Sequence, residues 1–159
     1  MNDPAIPVVY VTRLVELFWA GVLVAATMGI HGLGMIWSLR VDSAVKARIG
    51  QRPSFAAGLI NLILVSWSLV IVHVVEVTVW AGFFLWKGCF DNFSTANYFA
   101  LNEYTTVGSS LHLPQNWRLL EGGIATAGLL AFAWSTGVLV TVAREFQAQH
   151  LKRREPPIG

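Results

Sequence analysis

Six consecutive residues, Thr105-Thr106-Val107-Gly108-Ser109-Ser110, are small and uncharged, and they offer two kinds of oxygen, backbone carbonyl and side-chain hydroxyl. A cation leaving water must trade its hydration shell for other oxygens. An extended Thr-Val-Gly backbone supplies carbonyls in series, and the Thr106 hydroxyl adds another. Val107 and Gly108 bring no competing side-chain chemistry, and Gly108 lets the backbone turn its carbonyls toward one axis. A second set of chemical residues lies in apolar sequence. His73 and Glu76 are three apart and share one face of a helix. Ionisable groups at membrane depth are costly, so each invites a functional reading. A clasp from this pair to Asn102, Glu103 or Tyr104 is expected, and a histidine beside a carboxylate is suited to sensing protons. His31, in Gly29-Ile30-His31-Gly32, reads as a neutral histidine bonded to another helix. A metal or haem role for His31 with His73 is the one enzyme-like alternative. Asn102 and Glu103 precede the threonines and can support them from behind.

The elements that position these residues follow from composition. The chain has 159 residues, 55% hydrophobic and 13% charged, with mean hydropathy +0.57. That is too apolar for a soluble domain of this length. Three apolar stretches, Leu14 to Leu39, Ala56 to Trp86 and Ile124 to Val142, are each long enough to cross a hydrocarbon core of about 30 Å. The expected fold is an all-α membrane protein with three transmembrane helices. The formal charge of +2 gives no reason to invoke nucleic acid. The basic residues sit at helix ends, where topology explains them. Cys89 is the only cysteine, so no intrachain disulfide can form. The first residues lack a basic n-region, and the first apolar run exceeds a signal sequence, so it reads as a permanent helix.

Along the chain, residues 1–12 read as a tail with an interfacial turn near Ile6 to Val11. Trp19 and Trp37 bracket the first span, and Trp80 and Trp86 mark one end of the second. Ser43 to Ile49 is expected as a separate short helix, closed by Gly50 and stopped before Pro53. Asp91, Asn92 or Ser94 is expected to cap a helix over 94–105, too short to span. Such a helix returning as irregular backbone is a re-entrant loop, tolerated only where protein or water surrounds it. Helix 3 is expected over 119–142, with Gly128 and Gly137 as hinge candidates or close-packing positions. Eight of the eleven basic residues fall in 40–54 and from Arg144 onward. The positive-inside rule puts both segments in the cytoplasm, and three spans then put the N-terminus and the 87–118 loop outside.

The order short helix, Thr-Thr-Val-Gly, extended exit, Pro114, Trp117-Arg118, apolar helix resembles the pore loop of the potassium-channel superfamily, in particular its small bacterial members. Trp117-Arg118 and Glu121-Gly122-Gly123 strengthen the likeness, which covers roughly residues 57–143. It implies a pore domain over 56–143, preceded by 1–55 (tail, first helix and cytoplasmic loop) and followed by a basic tail over 144–159. It also implies a re-entrant pore helix and a filter at Thr105, Thr106, Val107, Gly108, Ser109 and Ser110, built by four copies of the chain in a bacterial inner membrane. The expected function is passive cation conduction, potassium first, with no enzyme activity, no cofactor and no metal beyond the permeant ion. Expected partners are other copies of the chain and lipid, with a larger membrane complex as a further setting. Ser109, Ser110 and Leu111 stand where the family pattern has Tyr, Gly and Asp. These three changes predict a wider, looser or collapsed outer filter, hence weak selectivity or closure. The alternative is a non-conducting, pore-like subunit with a structural or regulatory role. No arginine series marks a voltage sensor on helix 1.

Overall fold

Apolar residues dominate three long stretches and almost nothing in them breaks a helix, so each forms one uninterrupted rod. The computed structural model describes residues 11–49 and 54–152. Its elements are α1 (Leu14–Ile49), α2 (Phe55–Trp86), α3 (Phe93–Tyr104), a short 3-10 turn (Gln115–Trp117) and α4 (Leu119–Lys152). The helices α1, α2 and α4 are long and apolar enough to cross a membrane. At 1.5 Å per residue they measure about 50 Å each, beyond a hydrocarbon core of about 30 Å. Their ends therefore project from the bilayer or the rods tilt. The first and third spans are longer than the hydropathy boundaries suggested. No separate helix begins at Ser43. Arg40-Val41-Asp42-Ser43 contains no glycine or proline, and Lys46 pairs with Asp42 one turn earlier at 2.6 Å, so α1 continues to Ile49. The expected turn before Val11, the Gly50–Pro53 stop and the last seven residues lie outside the described residues.

Local signals fix the other boundaries. Ser54 caps α2 by accepting the Ala57 N–H at 3.1 Å. Of the three cap candidates before α3, Asn92 is the one used: its Oδ1 accepts the Thr95 N–H at 2.8 Å. Both α1 and α3 pack against α2 and α4. The core between them holds Trp80, Phe84, Phe99, Tyr104, Leu120 and Ile124, all fully buried. Lipid offers no hydrophobic drive to bring helices together, so close van der Waals fit and buried polar contacts must do it. Exposed apolar side chains such as Leu14, Phe18, Trp67, Val74 and Leu129 face outward, as a lipid-facing surface requires.

Glycine supplies the closest approach. A Cβ on Gly128 would lie 1.9 Å from the Tyr104 carbonyl oxygen, so α4 carries a glycine where the end of α3 rests on it. Gly137 has open space around it, and α4 runs through both positions without a break. One end of the bundle is closed by aromatics. Lys87 Nζ lies 3.6 Å from the Trp86 ring centroid and 4.6 Å from that of Trp19. Cys89, in the turn that follows, is partly covered by this cluster, and burial pushes its thiol up to about 11 although Lys87 opposes the shift.

Gly128→Ala should cost roughly 1–3 kcal/mol by overpacking. Gly137→Ala should be neutral or stabilising by up to about 1 kcal/mol. Equilibrium unfolding in mixed micelles reads both. Alkylation of Cys89 should be slow at neutral pH and accelerate about tenfold per pH unit up to the thiol's raised pKa, because only the thiolate reacts.

Candidate functional site

Two sites emerge, joined at Tyr104. The first is a buried polar ring. His31 on α1, His73 and Glu76 on α2, Tyr104 at the end of α3 and Ser135 on α4 converge between the four helices. His31 and Glu76 have no exposed surface, and Tyr104 and Ser135 are buried. His31 Nδ1 lies 2.9 Å from Glu76 Oε1. The Tyr104 hydroxyl donates to Glu76 Oε2. His73 Nδ1 lies 2.8 Å from the Tyr104 hydroxyl. Ser135 Oγ closes the circuit, 3.1 Å from His73 Nε2 and 3.3 Å from His31 Nε2. The expected His73–Glu76 clasp thus lands on Tyr104, and His31 and Ser135 join it. The order Glu76–His31–Ser135–His73–Tyr104–Glu76 has five members and five contacts.

Proton counting constrains this ring. Each contact needs one proton between its two heavy atoms. An ionised Glu76 with two neutral imidazoles leaves four protons for five contacts: one on each histidine, one on Ser135 and one on Tyr104. A fifth proton, on Glu76 or on a second imidazole nitrogen, satisfies every contact and makes the ring neutral. Buried polar groups without partners are expensive in this setting, so the five-proton, neutral ring is the state that the geometry favours.

The second site is the stretch from Thr105 to Pro114. Thr105 and Thr106 end α3 in a turn, and the backbone from Val107 to Pro114 is irregular. The N–H groups point back at α3. Thr105 N–H donates to the Leu101 carbonyl at 3.0 Å, Thr106 N–H to Glu103 at 3.0 Å, and Val107 and Gly108 N–H both to Asn102, at 3.0 and 3.2 Å. Among the described residues, no protein N–H or O–H donates to the carbonyls of Thr105 to Gly108. The backbone is also bent the rare way at alternate positions, with φ 60° at Thr106 and 78° at Gly108. Glycine accepts that freely, but a β-branched threonine does so at a cost of about 1–2 kcal/mol.

Two glutamates pin this stretch by its N–H groups: Glu103 Oε1 accepts from Ser109 at 3.0 Å and Glu121 Oε1 from Leu113 at 2.7 Å. Beyond it, Glu16 Oε2 accepts from Leu119, the first residue of α4, at 3.1 Å. Glu103 therefore holds the loop, as its position suggested. Asn102 acts through its carbonyl, while its side-chain amide donates to the Tyr98 carbonyl at 2.7 Å. Ser109 Oγ accepts the Leu111 N–H at 3.0 Å. Ser110 and Leu111 are exposed. His112 lies 3.6 Å from Glu121 on the exposed side of the loop. Glu16 and Ser135 were not singled out from the sequence. A glutamate followed by an apolar run signals a buried acid, but nothing separates Ser135 from the other hydroxyls of α4 before the helices are assembled.

Comparison with known protein families, characterised proteins and solved structures finds no match.

If the ring acts as a unit, Tyr104→Phe and Ser135→Ala should each cost about 1–3 kcal/mol. Their sum should miss the double variant by about 0.5–3 kcal/mol although the two side chains bond to His73 rather than to each other. Simple additivity in a double-mutant cycle would show that the contacts act independently.

Proposed function

We propose that the chain is a pore-loop protein that conducts cations passively across the membrane, with the Thr105–Ser110 stretch as the ion-coordinating segment and potassium as the first ion to test. The observation that carries this reading is the asymmetry of the loop backbone: N–H groups engaged by α3, carbonyls of Thr105 to Gly108 left without protein donors. Carbonyl oxygens without N–H partners need water or a cation, and a row of them is how a pore replaces an ion's hydration shell. The strained Thr106 supports the same reading. Left-handed backbone at a β-branched residue persists only where its surroundings impose it, and such strain concentrates at functional positions.

On this reading α2, α3, the loop and α4 serve as outer helix, re-entrant pore helix, filter and inner helix. One loop contributes one segment of a ring, so the functional unit on this reading is a symmetric homo-oligomer, a tetramer by the family likeness. The C-terminal end of α3 carries partial negative charge that favours a cation nearby. Ser109, Ser110 and Leu111 weaken the outer half of the site, where Ser109 spends its hydroxyl on the Leu111 N–H. Selectivity between potassium and sodium is accordingly expected to be low.

Cation flux through purified protein in liposomes tests the reading, with potassium and sodium gradients compared. Flux of either ion that barium blocks supports it, and no flux in either gradient across a range of pH sinks it. Thr106→Gly should raise stability by about 1 kcal/mol by relieving the strained backbone while reducing flux, because the imposed geometry is lost. The triple change Ser109→Tyr, Ser110→Gly and Leu111→Asp should raise potassium over sodium flux.

A further inference from the structure

The buried ring presents its donor atoms in two layers. Both Nδ1 atoms lie within 3.5 Å of the Glu76 carboxylate, His31 at 2.9 Å and His73 at 3.5 Å, and the Tyr104 hydroxyl sits beside them. One ligand atom from each of His31, His73 and Glu76 lies within 4.8 Å of the other two. The Nε2 atoms meet at Ser135 Oγ on the far side of the rings. Histidines that ligate a metal through one nitrogen commonly donate the other ring N–H to a fixed acceptor. Ser135 is placed to be that acceptor for both.

We propose that His31, His73, Glu76 and Tyr104 form a binding site for a zinc-like divalent ion, with Ser135 orienting both imidazoles. Two imidazole nitrogens and a carboxylate are ligands that zinc takes, leaving a fourth position, and the Tyr104 hydroxyl is the oxygen beside them. Bonds of about 2.0–2.1 Å place tetrahedral ligands roughly 3.3 Å apart. His31 Nδ1 lies 2.9 Å from Glu76 Oε1, while His73 Nδ1 lies 3.5 Å from Oε2 and 2.8 Å from the Tyr104 hydroxyl. The closer Tyr104–Glu76 contact must open furthest as the phenol proton leaves. Charge also balances. The neutral ring holds five protons, and an ion of charge +2 replaces two of them, one from a histidine and one from Tyr104. The remaining three lie on the two Nε2 atoms and Ser135, and the loaded site is again neutral. A dry interior tolerates that exchange and would not tolerate a net buried charge. A cavity of about 280 Å³ borders two of the ligands, His73 and Tyr104. The ion would tie α1, α2 and α3 together directly, and α4 through Ser135.

The site stands apart from the pore reading, because binding is measured without flux. The chain has four histidines, so the test uses a His112→Ala, His150→Ala background in which only the ring histidines remain. Full-length protein in detergent is stripped with a chelator, loaded with zinc and dialysed, and the metal is counted. One zinc per chain is expected, with affinity about 10- to 100-fold lower in Ser135→Ala and lower still in Glu76→Gln and Tyr104→Phe. Cobalt in place of zinc should give the intense visible absorption of a tetrahedral ion, a readout on the background protein that needs no ring variant to fold. No zinc retained above a protein-free control, zinc binding unchanged in Glu76→Gln, or a cobalt spectrum of octahedral type would each overturn the proposal.

Discussion

Glu76 has no exposed surface and lies between helices that are themselves surrounded by apolar side chains. A lone carboxylate there would be prohibitive, so the structure is built to answer it. His31 reaches it from α1, Tyr104 from α3, and His73 one turn away on the same helix completes its surroundings. Each of these partners needs its own remaining atoms satisfied, and Ser135 on α4 does that for both histidines. The requirement that every polar atom find a partner thus runs through all four helices and fixes their relative heights. Packing alone is less directional, since apolar faces slide over one another at small cost.

Tyr104 connects that constraint to the loop. It is the last residue of α3, so the hydroxyl held by Glu76 and the carbonyl resting on Gly128 set where the helix ends. The loop begins at the next residue. With α3 immobile, the carbonyls of Leu101, Asn102 and Glu103 become fixed acceptors for the four N–H groups that follow. Glu103, Glu121 and Glu16 then take N–H groups further along. Acids are used here as acceptors of backbone protons rather than as partners of bases. The consequence is a backbone that, from Thr105 to Gly108, has its N–H groups claimed and its carbonyls without protein donors among the described residues.

Much of this could be read from the sequence, and the reasons are local. Span positions follow from continuous apolar runs, the cap at Asn92 from an Asn three residues before an unsatisfied N–H, and the special backbone at Gly108 from glycine's freedom. The extension of α1 past Arg40 was missed because hydropathy falls there while helix propensity does not: Asp42 and Lys46 stabilise a turn that leaves the apolar zone. The ring was only half legible. His73 and Glu76 share a face at three-residue spacing, which sequence shows. That His31 lies at the same depth depends on how α1 and α2 are staggered, and that staggering is set by contacts such as Gly34 against Val72 and Thr27 accepting the Trp80 indole N–H at 2.9 Å. Ser135 depends in turn on α4's position against both. Long-range register of this kind has no signature within any one segment.

The two polar regions offer different cation chemistry within one bundle, and the difference follows from their atoms. Carbonyl and hydroxyl oxygens are hard, uncharged donors that exchange rapidly with water, which suits a monovalent ion passing through. Imidazole nitrogens with a carboxylate and a phenol are charged or borderline donors converging between the helices, which suits an ion that stays. Neither set can do the other's work: the ring has no row of successive sites for an ion to leave by, and the loop has no charge to hold a divalent ion. Tyr104 belongs to both, through its hydroxyl to the ring and through its main chain to the loop. An ion resident in the ring would therefore act on the loop by fixing the end of α3.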